Sequence, residues 1–270
     1  MPELPEVETT VRGLRKVLEG RRLTSVTPRR ADLRREIPED LGQRLTGASV
    51  TGLGRRAKYG LIDTDRGDTL IFHLGMSGRW RIDPAELGKH DHLVIETEDG
   101  HRLALNDPRR FGSLDLVRTV AVAEWPPFKA IGPEPLDGQV TGSWLSARFA
   151  GRSAAVKLLL LDQRIVAGLG NIYVCEALSR ARLDPRKAAG KASRKKLDAL
   201  AEAISSVLLE AIAAGGSSLR DFAAPNGELG YFSKTFDVYG REGEPCGCGV
   251  KVRRIVQSGR STFFCPGCQR

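Results

Sequence analysis

A chain of 270 residues, 41% of them hydrophobic, is long enough to bury real cores and suits two ordinary domains better than one large one. Lys plus Arg number 42 against 33 Asp plus Glu, a formal net charge of +9 with a pI near 9.6, which favours a polyanionic partner over a neutral one. No apolar run approaches the roughly 20 residues that cross a bilayer, and the chain opens on Pro2, Glu3, Pro5, Glu6 and Glu8, not on a basic segment followed by an apolar one. The expectation is a soluble cytoplasmic protein without a membrane partner.

Beyond Pro5, the residues Val7, Val11, Leu14 and Leu18 recur at spacings of four, three and four, which predicts a helix with one buried stripe, ending at Gly20. From about 26 to 116 the pattern changes to short alternating runs broken by turns. Examples are 70–74, and 93–97 returning through Asp99 and Gly100 to 102–105. This half reads as antiparallel sheet in a β-sandwich. Residues 121–142 are rich in Pro and Gly, including Trp125-Pro126-Pro127 and Gly132-Pro133-Glu134-Pro135, as in a linker. The period then becomes helical over 156–162, over about 171–180, and from Ser193 through Leu197, Leu200, Ile204, Leu208 and Ile212 to a stop at Gly215-Gly216. Cys175, alone among helix formers, reads as a packed thiol. The expected organisation is an α+β multidomain chain: a sandwich over 1–120, a linker over 121–150, a helical domain over 151–236 and a finger over 237–270.

The first residues carry a possible chemistry. If Met1 is removed, the free end is the secondary amine of Pro2. An α-amino group has a pKa of about 7.7 to 8.0 against about 10.4 for lysine, so roughly a tenth of it is uncharged at neutral pH. A neutral secondary amine bonded to C1′ of a deoxyribose forms a cationic iminium, an electron sink that allows the 3′ phosphate to leave by elimination. Glu3 beside the amine suits proton transfer, and Glu6 one turn on can orient that end. On these residues alone, a plain helix start with Pro and acidic side chains in its first turn is the better explanation of the pattern.

Cys265-Pro266-Gly267-Cys268 forms a Cys-x-x-Cys knuckle, and sixteen residues separate it from Cys246-Gly247-Cys248, a spacing that suits a β-hairpin finger holding one structural, tetrahedral zinc. Lys251, Arg253, Arg254 and Arg260 lie between the knuckles, more cations than a solvated face requires, and point to phosphate binding.

Taken together, Pro-Glu-Leu-Pro-Glu-Val-Glu-Thr at 2–9, Arg55-Arg56-Ala57-Lys58-Tyr59, His73-Leu74-Gly75-Met76-Ser77-Gly78, His90-Asp91-His92, Asp107-Pro108-Arg109-Arg110-Phe111-Gly112, Gly132-Pro133-Glu134-Pro135, Gly168-Leu169-Gly170-Asn171-Ile172-Tyr173 and the terminal cysteines resemble, in order, the formamidopyrimidine-DNA glycosylases. The resemblance runs from end to end. It implies an N-terminal β-sandwich with flanking helices, a helix-two-turns-helix domain and a zinc finger, with damaged double-stranded DNA held in the cleft between them, and a monomer that excises oxidised purines and then cuts the backbone. Pro2 would be the Schiff-base nucleophile, Glu3 the proton donor, Lys58 a general acid or phosphate ligand, and Glu6 a support for the amine. Met76, Arg109 and Phe111 would fill the gap left by the extruded nucleotide, with flexible Met in the void, Arg on the widowed base and Phe as a wedge. His90, Arg152, Lys157, Asn171 and Arg260 would hold phosphates, Arg260 also assisting the second elimination. The stretch 215–222, continuing to Gly230-Tyr231-Phe232, resembles the family's lesion-reading loop.

The chain departs from the family at its first knuckle, which is Cys-x-Cys where Cys-x-x-Cys is usual; Gly247 and Gly249 leave the backbone free to adapt. Two other readings stand beside this one. Oxidised pyrimidines would be the substrate of the related endonuclease VIII branch, against which Leu4 argues because Gly is usual there. A non-catalytic zinc protein would bind damaged DNA without cutting it.

Overall fold

The helix expected after Pro5 spans Leu4–Leu18 (α1), with Glu3 at its N-cap in extended backbone and Pro5 in its first turn, where a missing N–H is tolerated. Val7, Val11, Leu14 and Leu18 are all buried and enter one apolar core shared with two antiparallel four-stranded sheets. The first sheet runs β1 (Leu23–Pro28), β6 (Asp91–Thr97), β7 (Arg102–Asn106), β5 (Arg79–Ile82). The second runs β2 (Val50–Arg56), β3 (Tyr59–Thr64), β4 (Asp68–His73), β8 (Ser113–Arg118). Val26, Trp80, Leu93, Ile95, Leu103 and Leu105 of the first sheet meet Leu53, Ile62, Leu70, Phe72 and Leu114 of the second in that core. Phe72 and Trp80 bridge the layers edge to face, ring centroids 5.6 Å apart. This is the expected sandwich. The 93–105 hairpin lies where the alternation placed it, turning at Gly100 with φ +91°.

The computed structural model describes residues 1–217, 224, 225, 227 and 230–270. They group into two units, Met1–Lys129 with Ala214–Tyr231, and Ala130–Ala213 with Phe232–Arg270. The segment 214–231, expected to continue the helical domain, thus joins the sandwich unit. Ser217 donates to Glu6, and the Ile82 N–H donates to Pro225 O at 2.9 Å. Of the expected lesion-reading loop, residues 218–223, 226, 228 and 229 lie outside the described residues.

The stretch expected as linker holds helical turns: a 3₁₀ turn over Thr119–Glu124, α3 (Pro126–Ala130) and α4 (Gly142–Phe149). Thr141 caps α4, its Oγ1 accepting the Trp144 N–H at 3.1 Å. These helices, like α2 (Leu41–Leu45), are too short to show a 3.6-residue period amid Pro and Gly.

In the second unit, α5 (Val156–Leu160), α6 (Asn171–Arg180) and α7 (Arg194–Ala213) follow the helical pattern, and Leu197, Leu200, Ile204, Leu208 and Ile212 of α7 are buried. The finger hairpin is β9 (Arg253–Gln257) with β10 (Arg260–Phe264), turning through Ser258 and Gly259, both at positive φ. It sits on α6 through an apolar cluster of Cys175, Val238, Val252 and Phe263, so Cys175 is the packed thiol expected. The carboxylate of Glu176 adds a polar staple. Fully buried, it accepts the N–H groups of Asp237 at 2.7 Å, Val238 at 3.1 Å and Tyr239 at 2.8 Å. Burial pushes its pKa up against the pull of those donors. Glu176→Ala leaves three N–H groups without this acceptor, so chemical unfolding should show a loss of at least about 3 kcal/mol.

Candidate active site

The amino terminus of the sandwich unit is fixed before any substrate is considered. Pro2, Glu3 and Glu6 are buried, while Met1 is exposed. One carboxylate oxygen of Glu6 accepts the Glu3 N–H at 2.9 Å; the other accepts both the N–H and the hydroxyl of Ser217, each at 2.8 Å. The residue expected to orient the chain end therefore grips it.

Lys58 sits in the tight turn between β2 and β3, where Arg56 pairs with Tyr59. Its neighbour Ala57 has φ +52°, a conformation that costs a residue with a Cβ about 1–2 kcal/mol and persists only where the surroundings impose it. Arg55 imposes it, because Nη1 donates to Ala57 O at 2.9 Å and Nε to Glu8 of α1 at 3.1 Å. Burial pushes the Glu8 carboxyl up, but Arg12 and Arg55 outweigh it and hold the group below its usual value. Arg15 of α1 also donates to Leu53 O at 2.6 Å. The turn bearing Lys58 and the helix bearing Glu3 and Glu6 are thereby braced against each other, and Lys58 itself is only 7% exposed.

Met76, Arg109 and Phe111 project from two loops, 74–78 and 107–112, that pack backbone on backbone. A Cβ on Gly75, whose φ is +60°, would lie 2.3 Å from the Phe111 carbonyl carbon, and one on Gly112 would lie 2.7 Å from His73 O. Between the loops stands Asp107, buried, with Oδ1 accepting the Ser77 hydroxyl at 2.7 Å and Oδ2 the Gly112 N–H at 2.8 Å. Outside, Met76 and Phe111 are 39% and 43% exposed, and the Arg109 guanidinium lies 4.7 Å from the Phe111 ring centroid. His90, partly exposed, accepts the Asp107 N–H on its carbonyl at 2.9 Å. His73, at the end of β4, accepts the Gly75 N–H on Nδ1 at 3.0 Å, which leaves the ring proton on Nε2. Burial, and then the charges of Lys58, Arg34 and Arg35, push its pKa down to about 4.

In the second unit, Arg152 and Arg260 are exposed, Arg260 directly after the hairpin turn. Asn171 opens α6 and donates to Ser261 O at 2.8 Å. Lys157 departs from its expected role. It is fully buried, and Nζ donates to Thr262 Oγ1 at 2.6 Å and Ser261 O at 3.1 Å, so it braces β10 instead of presenting a charge to solvent. The Sγ atoms of Cys246, Cys248, Cys265 and Cys268 lie within 4.8 Å of one another, with Cys248–Cys265 at 3.5 Å and Cys246–Cys268 at 3.9 Å. Tetrahedral zinc with Zn–S bonds of about 2.3 Å sets its sulfurs about 3.8 Å apart, so the four thiols fit such an ion. The shortened knuckle closes because Cys246 N–H reaches Val250 O at 2.9 Å and Gly249, at φ +84°, returns an N–H to Cys246 O at 2.8 Å. The Val250 N–H, with the neighbouring thiols, lowers the Cys248 pKa to about 7.

Residues 1–114 match the formamidopyrimidine-DNA glycosylase N-terminal domain and residues 131–223 the formamidopyrimidine-DNA glycosylase H2TH domain. The chain belongs to the formamidopyrimidine-DNA glycosylase family. Among its relatives, the formamidopyrimidine-DNA glycosylases of Novosphingobium aromaticivorans and Rhizorhabdus wittichii are 67% and 66% identical, each aligned over the whole of both chains. Among solved structures, a Lactococcus lactis mutant complexed with Fapy-dG-containing DNA superposes with a TM-score of 0.92 at 36% identity, covering 100% of both chains. The Thermus thermophilus MutM (FPG) protein gives 0.89 at 39%, covering 99% of this chain and 98% of its own. Within the family's sandwich, four residues that the sequence reading did not single out as supports hold the assigned ones in place. Arg55 and His73 sit inside recognised blocks with no spacing that marks their partners, and Asp107 opens the block that carries Arg109 and Phe111. Ser217 follows a glycine pair but meets Glu6 only in three dimensions.

His73 generates a pH dependence. The unfolded ring takes a proton below about 6.5 whereas the folded one resists until about 4, so stability is full above 6.5 and falls as pH drops through this window. Urea unfolding from pH 7 to pH 4 should lose about 3 kcal/mol from this group. His73→Asn should flatten that part of the profile.

Proposed function

We propose that this chain is a bifunctional DNA glycosylase and abasic-site lyase of base excision repair, removing 8-oxoguanine and formamidopyrimidines from duplex DNA. The observation that carries the reading is the grip of Glu6 on the Glu3 N–H and on Ser217, which holds the chain end on the helix that is braced against the Lys58 turn. The Lactococcus protein's complex with Fapy-dG DNA supports the substrate class.

With Met1 removed, the Pro2 nitrogen attacks C1′ while the bond from C1′ to the base breaks, and the base leaves with the electron pair and takes up the proton that the Pro2 nitrogen gives up. Glu3 protonates the ring oxygen as the sugar opens, giving an iminium between Pro2 and C1′. Loss of the C2′ proton expels the 3′ phosphate, and loss of the C4′ proton, assisted by Arg260, expels the 5′ phosphate. Lys58 holds the phosphate beside the reacting sugar. Extruding the nucleotide costs a few kcal/mol, offset by Met76, Arg109 and Phe111 filling the gap. His90, Arg152, Asn171 and Arg260 bind phosphates without reading sequence, as a scanning enzyme requires, and Lys157 acts through the hairpin. Zinc, held by Cys246, Cys248, Cys265 and Cys268, supplies structural rigidity to that hairpin. The protein acts as a cytoplasmic monomer, with its chemistry in the sandwich domain and DNA grip in the helical domain and finger.

Borohydride should trap the mature protein covalently on a duplex with 8-oxoguanine opposite cytosine, and intact mass should show the loss of one methionine. Equal trapping by Pro2→Gly with label on an internal lysine would refute the nucleophile, and faster cleavage of thymine glycol opposite adenine would move the substrate to pyrimidines. Elemental analysis should find about one zinc per chain, lost in Cys265→Ser.

A further inference from the structure

We propose that Asp107 is a positioning residue that makes the Met76 loop and the Arg109–Phe111 loop act as one wedge during nucleotide extrusion; the inference rests on the function proposed above. Asp107 is 1% exposed and does not reach the surface that its neighbours present. Every polar group it owns is spent on loop geometry. Oδ1 accepts the Ser77 hydroxyl beside Met76, and Oδ2 accepts the Gly112 N–H beside Phe111. Its N–H donates to His90 O at 2.9 Å; its carbonyl accepts the Arg110 N–H at 3.2 Å and His92 Nε2–H at 2.9 Å. Ser77 Oγ closes the circuit by accepting the Arg109 N–H at 3.3 Å.

The backbone pays in strain for this closeness, since Arg110 is held at φ +56°. A gap in a duplex closes again unless all its fillers arrive together, and fillers on two independent loops would each lose their freedom on insertion. Loops already joined have lost it in folding. Asp107 thus ties the tip that enters the void to the tips that meet the opposite strand, without touching either.

The consequence is a split between two reactions. Excision from an intact duplex needs the wedge, whereas cleavage of a preformed abasic site in single-stranded DNA has no stack to open. In Asp107→Asn, the amide offers one acceptor where the carboxylate offers two, so its NH2 must face either the Gly112 N–H or the Ser77 hydroxyl, while Ser77→Ala removes a single hydroxyl. Single-turnover excision of 8-oxoguanine from duplex DNA is expected to fall about tenfold or more in the first and by a smaller factor in the second, with single-strand abasic cleavage within about threefold of wild type. A 2-aminopurine opposite the lesion should lose its fluorescence rise on binding in parallel. Parallel loss in both reactions, or duplex excision equal to wild type, overturns the proposal. If Asp107→Asn does not fold, Ser77→Ala decides by the same split. A wild-type protein that leaves 8-oxoguanine duplexes intact refutes the glycosylase reading itself, an outcome distinct from a variant that matches an active wild type.

Discussion

The site depends on a buried carboxylate surrounded by donors. Glu6 is 2% exposed, and a carboxylate so placed costs several kcal/mol unless donors surround it. Here the donors are the Glu3 N–H three residues back and the N–H and hydroxyl of Ser217, 211 positions onward. The first bond fixes the direction in which the chain enters α1. The others draw the segment after α7 onto the sandwich, which is why 214–231 groups with residues far earlier in the chain. The buried stripe of α1 secures a second face of the same helix, so the chain end is held by polar and by apolar contacts.

Much of this architecture was legible in the sequence because it repeats. The stripe of Val7, Val11, Leu14 and Leu18, the 93–105 hairpin and the face of α7 are periodic signals, and four cysteines at two knuckles carry their own geometry. Short elements such as α2 and α3 have no period to read, and the Pro and Gly of 121–142 mark turns between small helices as readily as a linker. The site was legible in its motifs but not in its supports. Nothing local tells that Arg55 reaches Glu8 of α1, or that Ser217 meets Glu6, since both are matters of tertiary distance. Lys157 shows the converse. The resemblance implies a phosphate ligand there, whereas its buried amine donates to Thr262 and Ser261 in the interior.

Rigidity in the sandwich unit is concentrated where exposed side chains must work. The two loops carrying Met76, Arg109 and Phe111 are fixed by glycines that let backbones touch, by Asp107 between them, and by His73 beneath Gly75. His73 can accept that N–H only while neutral, and burial with three nearby cations keeps it so. The same cations that favour a polyanion therefore also hold a neutral acceptor under the loop, and charge serves both attraction and shape.

The finger solves a different problem with the same means. Its first knuckle is one residue short, which weakens the usual wrap of backbone around sulfur, yet the four sulfurs still lie at distances that suit one tetrahedral ion. The hairpin does not depend on those sulfurs alone for its seat. Lys157 and Asn171 both donate to Ser261 O, next to Arg260, while Glu176 holds 237–239 and Phe263 packs against Cys175. A metal at the knuckles would stiffen the base of the hairpin, while polar bonds from α5 and α6 hold the strand that carries Arg260. The shorter knuckle is tolerable because aim and closure are supplied by different residues.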